Sequence, residues 1–118
     1  MPHVIIAGSI HESGIHLIDK RRDFTYTYLS KNDDFSYKEL IKDADALVIR
    51  TQPLVKTDIL GAVNLKIVSR HGVGYDAVDV DALSQRDIPL TIVGDVNSQS
   101  VAEHSMALLL AAYKRLIK

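Results

Sequence analysis

The chain has 118 residues, 47% hydrophobic and 25% charged, and its 14 basic and 15 acidic side chains leave a net charge of -1. This fits one globular domain and gives no basic excess for nucleic acid or an anionic membrane surface. The lack of cysteine excludes disulfides and thiolate metal sites, Met1-Pro2-His3 has no basic leader stretch, and the longest wholly apolar run, Met106 to Ala112, is too short to span a membrane, so a cytoplasmic protein is expected.

Strand-like and helix-like segments alternate along the chain. Val4-Ile5-Ile6-Ala7 is a β-branched run ended by Gly8, and predicts a buried first strand. Ile15 to Lys20 is a modest helix. Phe24 to Leu29 alternates aromatic residues and threonines, as suits a partly exposed second strand. Ser36-Tyr37-Lys38-Glu39 has the pattern of a capping box opening a helix. Ala46 to Ile49 is a third buried strand ending at Arg50, and Thr57 to Val63 a short helix. Leu65 to Ser69 is the fourth strand. Asp79 to Arg86 is a helix with Asp79 or Asp81 as its cap. Leu90 to Val93 is the fifth strand. A long helix follows from Ser100 to Ile117, opened by a second S-x-x-E.

Five short strands with helices between them predict a parallel sheet covered on both faces, in the flavodoxin-like order 2-1-3-4-5. Ligands bind such sheets beyond the carboxyl ends of the strands. Here those ends carry Gly8-Ser9, Arg50-Thr51, Arg70-His71-Gly72 and Gly94-Asp95.

Gly72-Val73-Gly74-Tyr75-Asp76-Ala77 reads G-x-G-x-x-A, a permissive dinucleotide fingerprint, with Asp95 about twenty positions on. Three points oppose that reading. Only 44 residues follow Gly74, too few for a second mononucleotide half. The best helix caps, Asp79 and Asp81, come late. Asp76 would repel a phosphate. A structural glycine turn is the bland alternative. A small-anion nest of the Gly72, Val73 and Gly74 amides accounts for the residues better than either.

His11-Glu12-Ser13-Gly14-Ile15-His16 is one residue too long for a zinc-binding H-E-x-x-H, so no metal is expected. Arg50 at a strand end suits a forked contact to carboxylate or phosphate, against the alternative of a plain exposed arginine. Asn97 stands in the turn before the long helix, as a cleft residue or a turn former. A receiver-type phosphorelay module shares the topology, but Gly8-Ser9, Arg50 and Gly94 stand where it needs acids and a lysine. A flavodoxin would need paired flavin-stacking aromatics, and the chain has no tryptophan.

Val48 to Thr51, Leu65 to Asp76, Asp79, Asp87 to Leu90 and Asn97 to His104 together resemble the catalytic domain of D-isomer-specific 2-hydroxyacid dehydrogenases, nearest the phosphoglycerate-dehydrogenase branch. Ala77, Asp87 and Gly94-Asp95-Val96 depart from the usual asparagine, glycine and N-x-P. The resemblance implies that residues 1–118 are the N-terminal segment of the substrate-binding domain, with the NAD-binding Rossmann domain and the catalytic side chains outside this chain. It implies that Arg50, Thr51, Gly72, Val73, Gly74 and Asn97 contact a 2-hydroxy or 2-oxo acid, that Val73 and Val101 lie near the nicotinamide, and that Asp76 holds the turn. The parent is expected to be a homodimer, and this chain alone to lack activity. A stand-alone binding or interaction module on the same fold is the alternative. The long helix is apolar nearly all round. It should therefore be largely buried, with one face bare, so that the chain self-associates.

Overall fold

A computed structural model describes residues 1–29 and 34–117. The strands are β1 (His3–Ala7), β2 (Thr25–Leu29), β3 (Ala46–Ile49), β4 (Ile67–Arg70) and β5 (Leu90–Thr91). They form one sheet, all parallel, in the order β2-β1-β3-β4-β5. The flavodoxin-like topology expected from the sequence is the one observed.

The helices are α1 (Glu12–Asp19), α2 (Asp34–Leu40), α3 (Lys56–Gly61), α4 (Val80–Gln85) and α5 (Ser98–Lys114), with a 3-10 turn at Ile41–Asp43. The period of two along each strand sorts side chains to opposite faces. Ile5, Ala7, Leu47, Ile49 and Val68 point to one face and are buried there with Tyr37, Ile41, Ile59, Ala62 and Leu83 from α2, α3, α4 and the 3-10 turn. Ile6 points to the other face, where Tyr28 lies beside it in register and lines a shallow pocket with Ile15 of α1.

Several boundaries differ from those expected. His11 begins α1, its Nδ1 accepting from the Ser13 amide at 3.2 Å. The histidine of the near-miss metal motif is thus a helix cap. The helix predicted to open at Ser36 begins at Asp34; the capping-box serine's side chain lies outside the described residues. β5 is only two residues long. Asp79 caps α4 as expected, accepting from the Ala82 amide at 3.0 Å.

The S-x-x-E of the long helix does not cap it. α5 starts two residues earlier, behind Asn97, and Glu103 instead accepts from Gln99 within the helix at 2.9 Å. Its C-terminus is Lys114, because Arg115 turns left-handed at φ +51° and Leu116 donates back to Ala111. The expected burial of α5 is also wrong. None of its residues is buried, because it leaves the sheet at the β5 edge instead of folding across it.

Candidate substrate-anchoring site

Register fixes which residues meet at the carboxyl rim of the sheet. Ala7 pairs with Ile49, and Ile49 with Arg70. The next residues, Gly8, Arg50 and His71, therefore lie side by side. His71 donates its amide to the Ile49 carbonyl at 2.7 Å, which extends the β3–β4 ladder into the loops.

Arg50 is exposed and donates from Nη1 to the Ser9 carbonyl at 3.3 Å. The guanidinium of an exposed arginine has five N–H donors, enough for a forked anion contact beside this bond. Thr51 is exposed beside it. Below both lies Gln52, a buried polar side chain that sequence patterning did not single out. Its Oε1 accepts from the amides of Arg50 at 3.0 Å and Thr51 at 3.2 Å. Gln52 therefore sets the turn that presents both residues. A glutamine between a strand end and Pro53 has no spacing rule to reveal that role.

Gly8 makes room for this turn. Its φ is +91°, and a Cβ there would lie 3.0 Å from both Arg50 Cβ and Gln52 Nε2. Gly72 is crowded from one side by Arg70, whose Nη1 would be 2.7 Å from an added Cβ and donates to the His71 carbonyl at 2.9 Å.

The glycine turn has a definite hydrogen-bond ledger. The Gly72 amide donates to Arg70 at 3.0 Å and its carbonyl accepts from Val93 at 3.1 Å. The amides of Val73 and Gly74 have no partner among the described residues. Two unpartnered amides thus remain of the three expected to line a nest. Asp76 does not brace this turn: it is exposed and makes no hydrogen bond among the described residues. Leu54 holds the turn instead. It donates to Ala77 at 3.0 Å, accepts from Asp79 at 2.9 Å and bridges Val78.

Arg50, Thr51 and the Gly72–Gly74 turn share this rim. Asn97 and Val101 lie at the start of α5, a few residues after Val93, whose amide donates to the turn at Gly72. Asn97 holds the N-cap position without a side-chain cap; its carbonyl accepts from the Val101 amide at 3.0 Å. Asp95 accepts from the Ser98 hydroxyl.

A dinucleotide pyrophosphate does not fit the glycine turn. The helix that would receive it, α4, has its Ala82 amide capped by the Asp79 carboxylate, and Asp76 adds a second negative charge. Val73 and Val101 are 38% and 56% exposed.

A model of the D-isomer specific 2-hydroxyacid dehydrogenase catalytic domain matches residues 4–114. This chain belongs to that family. A D-3-phosphoglycerate dehydrogenase of Mycobacterium tuberculosis is 44% identical over 98% of this chain and 22% of its own length. A glyoxylate reductase of Pyrococcus furiosus is 31% identical over 99% of the chain and 35% of its own length. The chain thus spans well under half the length of these curated relatives. An NAD+-bound 3-phosphoglycerate dehydrogenase of Entamoeba histolytica shares the fold, with TM-score 0.73 and 24% identity over 94% of this chain and 39% of that one. No helix among the described residues is long and apolar enough to cross a membrane.

Proposed function

We propose that this 2-hydroxyacid dehydrogenase chain is the substrate-binding part of an oxidoreductase that moves a hydride between NAD and a D-2-hydroxy acid. The observation that carries this reading is the pair of amides at Val73 and Gly74 that have no partner among the described residues, set on the same rim as Arg50. The two amides take the substrate carboxylate, while Arg50 and Thr51 take a phosphate or other polar group at its far end. Such two-point binding fixes C2 and its hydrogen in one orientation. Asn97 lines the cleft, and Val73 and Val101 lie against the nicotinamide, the group that accepts or supplies the hydride.

The pyrophosphate misfit at the glycine turn supports a reading in which NAD is held mainly by residues outside 1–118. The proton-transferring groups are assigned there too. The parent is read as a homodimer.

Amide NMR shifts during titration with D-3-phosphoglycerate and D-lactate test the assignment. Val73 and Gly74 should move with both ligands, and the Arg50 and Thr51 amides chiefly with the phosphorylated one. Shifts confined to other regions would overturn the assignment of the anchor. NAD-dependent turnover by the 118-residue chain alone would overturn the division of labour.

A further inference from the structure

Gln52 carries an unused donor at the carboxyl rim. The residue is only 6% exposed. Its Oε1 is committed to the turn, where it accepts from the Arg50 and Thr51 amides. Those two donors settle which end of the carboxamide is oxygen, since a nitrogen there would set N–H against N–H. Nε2 therefore stands at the other end, with two N–H groups and no hydrogen-bond partner among the described residues. It is not sealed in. Among the described residues, the enclosed side-chain polar atom without a partner is the Tyr37 hydroxyl, so Nε2 keeps access to solvent.

The neighbours of Nε2 belong to the rim. A Cβ added at Gly8 would lie 3.0 Å from Nε2 and 3.2 Å from Oε1, so the missing methyl leaves the carboxamide uncovered on that side. Ser9, the next residue, accepts from Arg50 Nη1. Nε2 and the Arg50 guanidinium thus border consecutive residues of one loop. No ion pair among the described residues involves Arg50. A donor held this deep and left unmatched is unfavourable, and an acceptor that arrives with a ligand removes that cost. Such a group also discriminates, because a ligand without the acceptor leaves the donor unmatched again.

We propose that Gln52 is a specificity-determining residue whose Nε2 donates to the distal group of the substrate, the group held by Arg50. The two side chains make a pocket of donors only. It takes an oxyanion and turns away a distal ammonium or alkyl tail. A guanidinium fork grips two oxygens. The third oxygen of a phosphate needs a donor from elsewhere, and Nε2 is one, so the pocket favours a phosphate over a planar carboxylate. This inference rests on the anion contact assigned to Arg50 and adds the class of tail that the rim selects.

The test uses the 118-residue chain labelled with nitrogen-15. The side-chain NH2 pair of Gln52, assigned through its own carbons, should shift on titration with D-3-phosphoglycerate. Exchange of its protons with water should slow at least about threefold as an acceptor engages them. D-lactate should leave both unchanged. Gln52→Glu keeps an oxygen for the two amides and replaces the donor with a charged acceptor. It should weaken D-3-phosphoglycerate binding at least about tenfold and D-lactate binding less than about threefold. Arg50 and Thr51 amides near their parent positions in the free variant show that the turn is kept; if the glutamate disturbs it, the parent's NH2 readout decides. An unmoved NH2 pair while the Arg50 and Thr51 amides shift would overturn the proposal and leave the anion contact standing. An NH2 pair that shifts and slows while Val73 and Gly74 stay still would support it and remove the carboxylate anchor instead. Equal losses for the two acids in a Gln52→Glu chain that keeps the turn, or no shift anywhere on the rim, would also overturn it.

Discussion

The guanidinium of Arg86 donates to the carbonyl of Ala62 at 2.9 Å, joining the end of α4 to the end of α3. The same group reaches the Ile59 carbonyl, and its Nη2 donates to Val63 at 3.2 Å. One side chain thus satisfies the Ile59 carbonyl of a six-residue helix with no basic residue in its last turn, and two carbonyls just past the end of that helix. Charge-assisted bonds of this kind contribute about 1.5–3 kcal/mol. Arg86→Ala should lower stability by about that much in urea unfolding. Arg86→Lys should recover only part of it, because an ammonium cannot fork across three carbonyls.

Asp87, directly after that arginine, is left-handed at φ +54°. Its amide donates to Ser84 at 3.1 Å, and the Ile88 amide to Leu83 at 3.0 Å, the two bonds of a Schellman motif. Glycine is the usual residue there, and a carboxylate at a helix C-terminus opposes the dipole. Asp87→Gly should therefore stabilise the chain by about 0.5–1 kcal/mol, and Asp87→Val should destabilise it by about 1–2 kcal/mol, as shifts in the urea midpoint with unchanged slope.

These two residues also mark what the sequence could show. The strands were legible because runs such as Val4-Ile5-Ile6-Ala7 and Ala46-Leu47-Val48-Ile49 are unbroken and β-branched, and their alternation with helices implied the observed sheet order. The end of α5 was not legible, because Arg115 takes the left-handed position that glycine normally announces. The rim residues could be named from the strand ends. Gln52 could not, since its importance lies in contacts to amides that only the folded turn brings to it. The isolation of α5 was hidden for a related reason: apolar composition states that a surface needs cover, not where the cover stands.

Tyr37 is 2% exposed, and its hydroxyl has no hydrogen-bond partner among the described residues. Burial, reinforced by the Asp58 charge, pushes its pKa well above the usual 10. An unpartnered buried hydroxyl costs about 1–3 kcal/mol, so Tyr37→Phe should raise stability by about 1 kcal/mol at neutral pH. The linkage has a definite sign. A phenol whose folded pKa lies above its unfolded value holds a proton that the unfolded chain loses, so stability falls as pH rises above about 10. Unfolding curves between pH 9 and 11 should show this loss in the parent and a smaller loss in Tyr37→Phe.

Asp45 titrates at the opposite end of the scale. Its carboxylate accepts from the His3 amide at 2.9 Å and sits 3.5 Å from Lys66 Nζ. The backbone bond foremost, then the lysine charge, hold its pKa below the usual 3.8. Its contribution is complete above that value and disappears as pH falls through the lower folded one. Asp45→Asn keeps an acceptor oxygen and loses the titration. Its stability should fall less steeply than the parent's below pH 4, as followed by circular dichroism in acid.

Gly8 couples stability to the proposed anion site. An alanine there must adopt φ near +91° and push on Arg50 Cβ and Gln52 Nε2, each 3.0 Å from its methyl. Backbone strain of this kind costs about 1–3 kcal/mol. The displaced atoms belong to the residue that presents the guanidinium and to the one that positions it. Gly8→Ala should therefore lose stability and also bind D-3-phosphoglycerate more weakly under conditions where it remains fully folded. D-lactate, which has no distal phosphate, should lose less, because the Val73 and Gly74 amides belong to a turn held separately by Leu54. Equal losses for the two acids in parallel NMR titrations would show that Arg50 does not read the phosphate.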